Sequence, residues 1–439
     1  MSAAGPAPPA AAAGPERGVR ARGPGGGCGV PAHSPDRAGR VYARPIAAGR
    51  DPPVTLTQIT HHDLDGYGAS TVVACLCDPE RVVHVPRYGD VGPVVEAELK
   101  RLGRARARET LLLTDLGLEE PTIAFLRRFA AMNRRREPGD GHGLVVLDHH
   151  ASSVEQLGRQ GFAPQPDPDR PGLLRFGVED PAVTVLIDEG SSATRMALTH
   201  RALFATRPEP DRAEDLAVLV EAVDAVDLWR KHDPRFPSGQ ALDEAFWDNV
   251  ATLVPAGHPA HDGVVSRLLL DAAAALRAGA TPADLERRVP EIRGAIVDDL
   301  MRQAPGDDPA LTTRLRVARL LARSDALFHP LPDGTLLSFG LDPGTFQRVS
   351  DLIMAEGRAA RVVNVQRTGT LSFRSNDGTA LAGARLFRGG GHQDAAGGKL
   401  PSGTAFSLAD AVAQVEPVLA PPRPAAEDSP FAALRNWKG

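Results

Sequence analysis

The sequence has no long hydrophobic run. Nothing in its 439 residues approaches the roughly 18 consecutive apolar residues of a membrane span, so a bilayer-crossing protein is not expected. Cysteine is nearly absent. Cys28, Cys75 and Cys77 cannot build a disulfide framework, and this usage fits a reducing cytoplasm better than secretion. Positive charge is short too: a formal net charge of −5 argues against holding nucleic acid by bulk charge, while leaving room for a local basic site. Lysine supplies only four of the fifty basic residues, which fits codon usage in a GC-rich genome rather than a mechanism. No secretory signal is expected, because Pro and Gly interrupt every candidate apolar core in the first fifty residues. There is no internal repeat.

What remains is ordinary for a globular protein, with 42% hydrophobic and 24% charged residues and a length that predicts two or three domains. Residues 1–50, dominated by Ala, Gly, Pro and Arg, read as a disordered tail. From Val54, short apolar runs (Val54 to Ile59, Val82 to Val85, Leu111 to Thr114, Leu144 to Leu147) alternate with amphipathic stretches. That alternation predicts an α/β domain over 51–230, a mainly parallel sheet with helices on both faces. Residues 231–330, rich in Ala, Leu, Arg and Asp, read as a helical connector. Strand signals return at Leu336–Phe339, Val362–Val365 and Thr370–Phe373, predicting a smaller α/β domain over 331–405. A C-terminal helix and tail are expected over 406–439.

The chemistry lies at strand ends, where open α/β sheets bind ligands. In Thr60-His61-His62-Asp63-Leu64-Asp65-Gly66, alternation puts His61, Asp63 and Asp65 on one side of the chain. Asp115 follows one apolar run and Asp148-His149-His150 another, and a fourth place is Val223-Asp224-Ala225-Val226-Asp227-Leu228-Trp229. Each has a plain reading, since a lone Asp after a strand ordinarily caps a helix or makes a turn. Together they point to divalent ions such as Mn²⁺ or Mg²⁺, with no thiolate to select zinc. Five or six such ligands suit two ions sharing a carboxylate, an arrangement used for in-line phosphoryl displacement.

The order of these motifs resembles that of the DHH phosphoesterase family: Thr-His-x-Asp-Leu-Asp-Gly, a strand-end Asp, Asp-His-His, then an Asp near a Trp. Ser372-Phe373-Arg374-Ser375 and Gly389-Gly390-Gly391-His392-x-x-Ala395-Ala396-Gly397 resemble its DHH-associated C-terminal domain. The resemblance covers about residues 54–230 and 335–402. It implies His61 and Asp63 as ligands of one Mn²⁺, Asp65 and His149 of a second, and Asp115 as the bridge. It further implies Asp148 as an orienting carboxylate and His150 as a contact to phosphate or leaving group. Arg374, Gly389, Gly390, Gly391 and His392 would form the pocket for the substrate phosphate, where Gly-rich amides and a guanidinium suit an anion. In the fourth motif, Asp224 directly follows the apolar run and is preferred, with Asp227 as the alternative. His62 stands where close relatives often carry another polar residue.

Within that family the motif forms are closest to the nanoRNase-like branch. This implies an Mn²⁺-dependent phosphodiesterase trimming very short oligonucleotides or linear dinucleotides to mononucleotides, with no membrane partner and with homodimers common among relatives. The alternatives are a phosphatase for 3′-phosphoadenosine 5′-phosphate, a single-strand exonuclease, and a nucleotide sensor without activity. Tyr67, Arg87 and Ser191-Ser192-Ala193-Thr194 are further candidates to line the cleft. Cys75 and Cys77 read as small apolar residues on the helix after the first motif, and Arg134-Arg135-Arg136 as a solvated loop. Trp229, Trp247 and Trp437 look too scattered to make a stacking platform for bases.

Overall fold

The structure is a computed structural model that describes residues 55–137, 139–251, 254–303, 311–405 and 407–421. The expected N-terminal tail, with Cys28, and the C-terminal tail, with Trp437, lie outside the described residues.

The first half alternates strand and helix: β1 (Thr55–His61), α1 (Leu64–Leu76), β2 (Arg81–Val85), α2 (Tyr88–Leu102), β3 (Glu109–Thr114), α3 (Glu120–Asn133), β4 (Gly143–Asp148) and α4 (Ala151–Arg159). A hairpin, β5 (Pro164–Pro166) and β6 (Leu173–Phe176), precedes β7 (Val183–Asp188), α5 (Ala193–Thr199) and α6 (Ala213–Asp227). The seven strands lie in the order β2-β1-β3-β4-β7-β6-β5. From β2 to β7 they run parallel, and β6 and β5 add antiparallel. The sheet is therefore mixed; the two antiparallel strands, of three and four residues, are too short to stand out from loop in the sequence.

Its central strands are buried on both faces, and their side chains divide with period two. Leu112, Val145 and Leu147 pack with α1, α5, α6 and three later helices. Leu111, Leu113, Leu144 and Val146 pack with α2 and α3 on the other face. Burying each such side chain contributes about 1.5–3 kcal/mol.

Four helices follow, α7 (Phe236–Asn249), α8 (His261–Arg277), α9 (Pro282–Gln303) and α10 (Thr313–Ala322). They are built into the cores. Leu242, Phe246, Val265 and Leu269 join the layer on α1 and α6. Val264 and Leu268, on another side of α8, pack with Ile296 and Val297 of α9 and with Phe346, Val349 and Ile353 beyond. So α8 belongs to two hydrophobic clusters at once.

The second sheet comprises β8 (Phe328–Pro330), β9 (Leu336–Phe339), β10 (Arg361–Val365), β11 (Thr370–Ser375), β12 (Gly390–Gly391) and β13 (Ala395–Lys399), in the order β12-β13-β11-β10-β9-β8. Helices α11 (Pro343–Ala355), α12 (Ala380–Leu386) and α13 (Leu408–Leu419) cover it. Only β9 and β10 pair in parallel. Among the described residues no helix is long and apolar enough to cross a membrane.

Candidate metal centre

The carboxyl ends of β1, β3 and β4 are neighbours in one sheet, and the strand-end motifs therefore converge. His61 closes β1, and Asp63, as N-cap of α1, accepts from the Gly66 amide at 2.9 Å. The turn needs glycine there, because a Cβ on residue 66 would come within 2.0 Å of the His61 carbonyl oxygen. His61 Nδ1 lies 2.5 Å from Asp63 Oδ2. Burial works against the Asp63 charge, but His61 and the Gly66 amide outweigh it and hold the carboxyl at about 2.

Asp65 is buried in the first turn of α1. Its two oxygens accept from the amides of Ala193 (2.7 Å) and Thr194 (2.9 Å), so the N-terminus of α5 holds it in place. His149 Nε2 stands 3.7 Å from Asp65 Oδ2 and 3.2 Å from Asp115 Oδ1. Asp115 takes a left-handed backbone (φ 56°), uncommon for a residue with a side chain. Its Oδ2 is buried with no hydrogen-bond donor to meet it. Burial, followed by the charges of Asp63 and Asp65, raises Asp115 well above the usual carboxylate range.

Of the two acids of the fourth motif, Asp227 is the one grouped with Asp65 and His149. Asp224, preferred from sequence, is fully buried with its oxygens already engaged: Oδ1 accepts from the Ser192 amide (2.8 Å), and Oδ2 lies against Arg230 (2.5 Å) and Arg195 (2.8 Å). Three residues on, at the last position of α6, Asp227 Oδ2 lies 3.6 Å from His149 Nδ1. Burial and the charges of Asp65 and Asp63 push it up to about 9.

Three groups of ligand atoms, each within 4.8 Å of one another, result: His61, Asp63 and Asp115; Asp65, His149 and Asp227; and Asp115, His149 and His150. Such groups could hold divalent metal ions. Beside them Asp148, buried at the end of β4, accepts from Ser153 Oγ and lies 2.7 Å from His150 Nδ1. Burial disfavours charge on His150, but Asp148 and the other carboxylates outweigh it and raise its proton affinity. Its Nε2 is 3.0 Å from the Tyr88 hydroxyl, and the Tyr88 ring stacks on His61 at 4.7 Å. Sequence reading missed Tyr88, whose one signal was its position just beyond β2.

Other sequence candidates fall around this centre. Ser192-Ala193-Thr194 positions Asp65 and Asp224. Tyr67 is buried, 3.2 Å from His62 Nδ1 and 2.8 Å from His261 Nε2. A cavity of about 570 Å³ opens there, lined by His62, Tyr67, His84 and His261 and, from the second sheet's side, by Phe339, Arg367 and Leu408. Arg87 pairs with Asp90 at the start of α2. Arg134 and Arg135 are exposed, whereas Arg136 ties its loop to the carbonyls of Ala105 and Arg106.

The second sheet's candidates are not joined to the centre by any hydrogen bond or ion pair among the described residues. Arg374 donates to Gln347 (2.6 Å) and to the Phe373 carbonyl (2.8 Å). Gly390 and Gly391 form β12 rather than an open loop. The Gly389 and His392 amides donate to Ala384 and Ala395, so these two are not available to cradle an anion. Here glycine serves close packing, as a Cβ on Gly389 would meet the Gly397 carbonyl oxygen at 1.9 Å.

Fold and centre together define an α/β protein with a carboxylate–histidine cluster able to hold divalent metal. No family profile and no curated protein matches the chain. An uncharacterized protein from Helicobacter pylori G27 shares its fold, with a TM-score of 0.64 and 18% identity over 83% of this chain and 99% of that one. A pGpG-specific phosphodiesterase from Vibrio cholerae aligns over 84% of this chain and 100% of its own at 12% identity, but its TM-score of 0.25 supports no argument.

Proposed function

We propose that the protein is a metal-dependent phosphodiesterase that cleaves very short oligonucleotides or linear dinucleotides to mononucleotides, with two Mn²⁺ ions sharing one carboxylate. Asp115 carries this reading. It is common to two of the ligand groups, its Oδ2 is buried without a donor, and four acidic side chains crowd one another there. Buried carboxylates left unpaired are costly, and a cation is the partner that removes the cost. Hard oxygen donors with imidazoles suit Mn²⁺ or Mg²⁺.

His61 and Asp63 would hold one ion and Asp65, His149 and Asp227 the other, with Asp115, grouped with His61 and Asp63 and 3.2 Å from His149, as the carboxylate they would share. Bound ions supply Lewis acidity, a lowered pKa for water and compensation of phosphoryl charge. The chain's own residues do the rest. Asp148 fixes the ring of His150 through Nδ1 and favours its protonated form, so that Nε2–H can donate to a phosphate or leaving-group oxygen. The amides of α5 keep Asp65 from turning away from His149. The neighbouring cavity offers room for the remainder of a small substrate. In this proposal residues 51–230 are catalytic, and 331–405, with Arg374, grip the far phosphate.

The test is hydrolysis with Mn²⁺ of a dinucleotide, a five-mer, a long single strand and 3′-phosphoadenosine 5′-phosphate. The two shortest oligonucleotides should be cleaved fastest, and His149→Ala should lose at least about 100-fold, since even partners of metal ligands are worth about 10–100-fold. Turnover of the bisphosphate alone, or of none of the four, would sink the reading.

A further inference from the structure

We infer that Trp229 and Trp247 are stacking platforms for the two nucleobases flanking the scissile phosphate, an inference that rests on the phosphodiesterase reading. Only four large hydrophobic side chains are exposed among the described residues, Tyr88, Trp229, Trp247 and Leu386, and of these the Tyr88 ring stacks on the ligand candidate His61. The two indoles neighbour different members of the ligand cluster along the chain or in space. Trp247 meets His62, the neighbour of His61, edge-on at 6.2 Å, and Trp229 follows Asp227 by two residues.

Packing does not account for either ring. Trp247 is 49% exposed, and its contacts with His62 and Phe246 are edge-on. An indole held edge-on between two rings, and spending little on burial, is pre-organised for a flat partner. Trp229 is 61% exposed and takes a left-handed backbone (φ 53°) just past the end of α6. Glycine is the residue that ends a helix in this way without strain. A bulky residue kept there, with its ring in solvent, points to a use outside the fold. The Phe236 ring meets it edge-on at 5.4 Å, and the Lys231 ammonium lies over the ring, 4.8 Å from its centroid, so a base would stack on the opposite face or displace that side chain. Bases of any sequence present a π-face, so such platforms recognise unpaired nucleotides broadly.

The experiment follows tryptophan fluorescence of the full chain with Mg²⁺ while a dinucleotide with a non-hydrolysable phosphonate linkage is added. Parallel titrations use the same compound lacking one base or the other. We expect saturable quenching, and at least tenfold weaker binding when either base is missing. Trp247→Ala and Trp229→Gly should each bind the intact ligand at least tenfold more weakly, and in each variant the penalty for removing one of the two bases should vanish. Trp229→Gly should also melt no lower than the parent, because it relieves backbone strain. Equal binding of the base-less ligands would overturn the inference. So would variants that weaken intact and base-less ligands alike, or sedimentation showing that the indoles are covered by a second copy of the chain. Hydrolysis is not needed for the readout: base-dependent binding without turnover of any phosphodiester would defeat the enzymatic reading alone, and turnover without base dependence would defeat this one.

Discussion

Asp224 and Asp227 share a helix three residues apart, yet their surroundings differ in kind. Asp224 is a fully buried counter-ion for Arg195 and Arg230, and Asp227 faces other carboxylates. The two substitutions should therefore separate. Asp224→Asn leaves two guanidinium groups facing a neutral amide and should destabilise the fold by roughly 3 kcal/mol, as breaking a buried pair does. Asp227→Asn removes like-charge crowding and should leave the urea midpoint unchanged or higher, while lowering Mn²⁺ affinity at least about tenfold. Urea titration and calorimetric metal binding check both, and the opposite pattern would restore Asp224 as the ligand.

At the scale of elements, the centre depends on the short helix α5. Its N-cap, Ser192, accepts from the Arg195 amide at 3.3 Å, and the next two amides aim at Asp65. Ser192→Ala should cost about 1 kcal/mol of stability through the lost cap. It should also weaken metal binding although Ser192 touches no metal ligand directly. Removing a cap elsewhere, as in Ser407→Ala at α13, should lower stability without changing metal affinity, and equal effects of both variants would argue against this coupling. The strand-end motifs were legible in sequence because apolar runs followed at once by Asp and His survive as a local pattern. The β5–β6 hairpin was not, since three- and four-residue strands carry too little pattern to read.

Across the whole molecule, α8 joins two cores, and α1 lies between the sheet and α5, α6 and α8. Cys75 and Cys77, at the end of α1, report on that packing. Burial pushes their thiols up to about 11 and about 12, leaving almost no thiolate at pH 8. Iodoacetamide at pH 8 should label both at least about 100-fold more slowly in the native protein than in urea, given a free thiol near 8.5. Peptide mapping reads the result, and fast native labelling would show that α1 opens readily.

Composition, alternation and strand-end ligands were enough to determine an α/β chain with a metal-binding pattern, because each is a property of neighbouring residues. Tertiary structure alone decided three further matters. It set Asp224 against Arg195 and Arg230 and Asp227 against His149, since helix spacing cannot say which carboxylate meets which partner. It showed Gly390 and Gly391 to be a paired strand, since glycine serves close packing and anion binding alike. It also brought Tyr88 onto His61 and His150, a contact that no distance along the chain records.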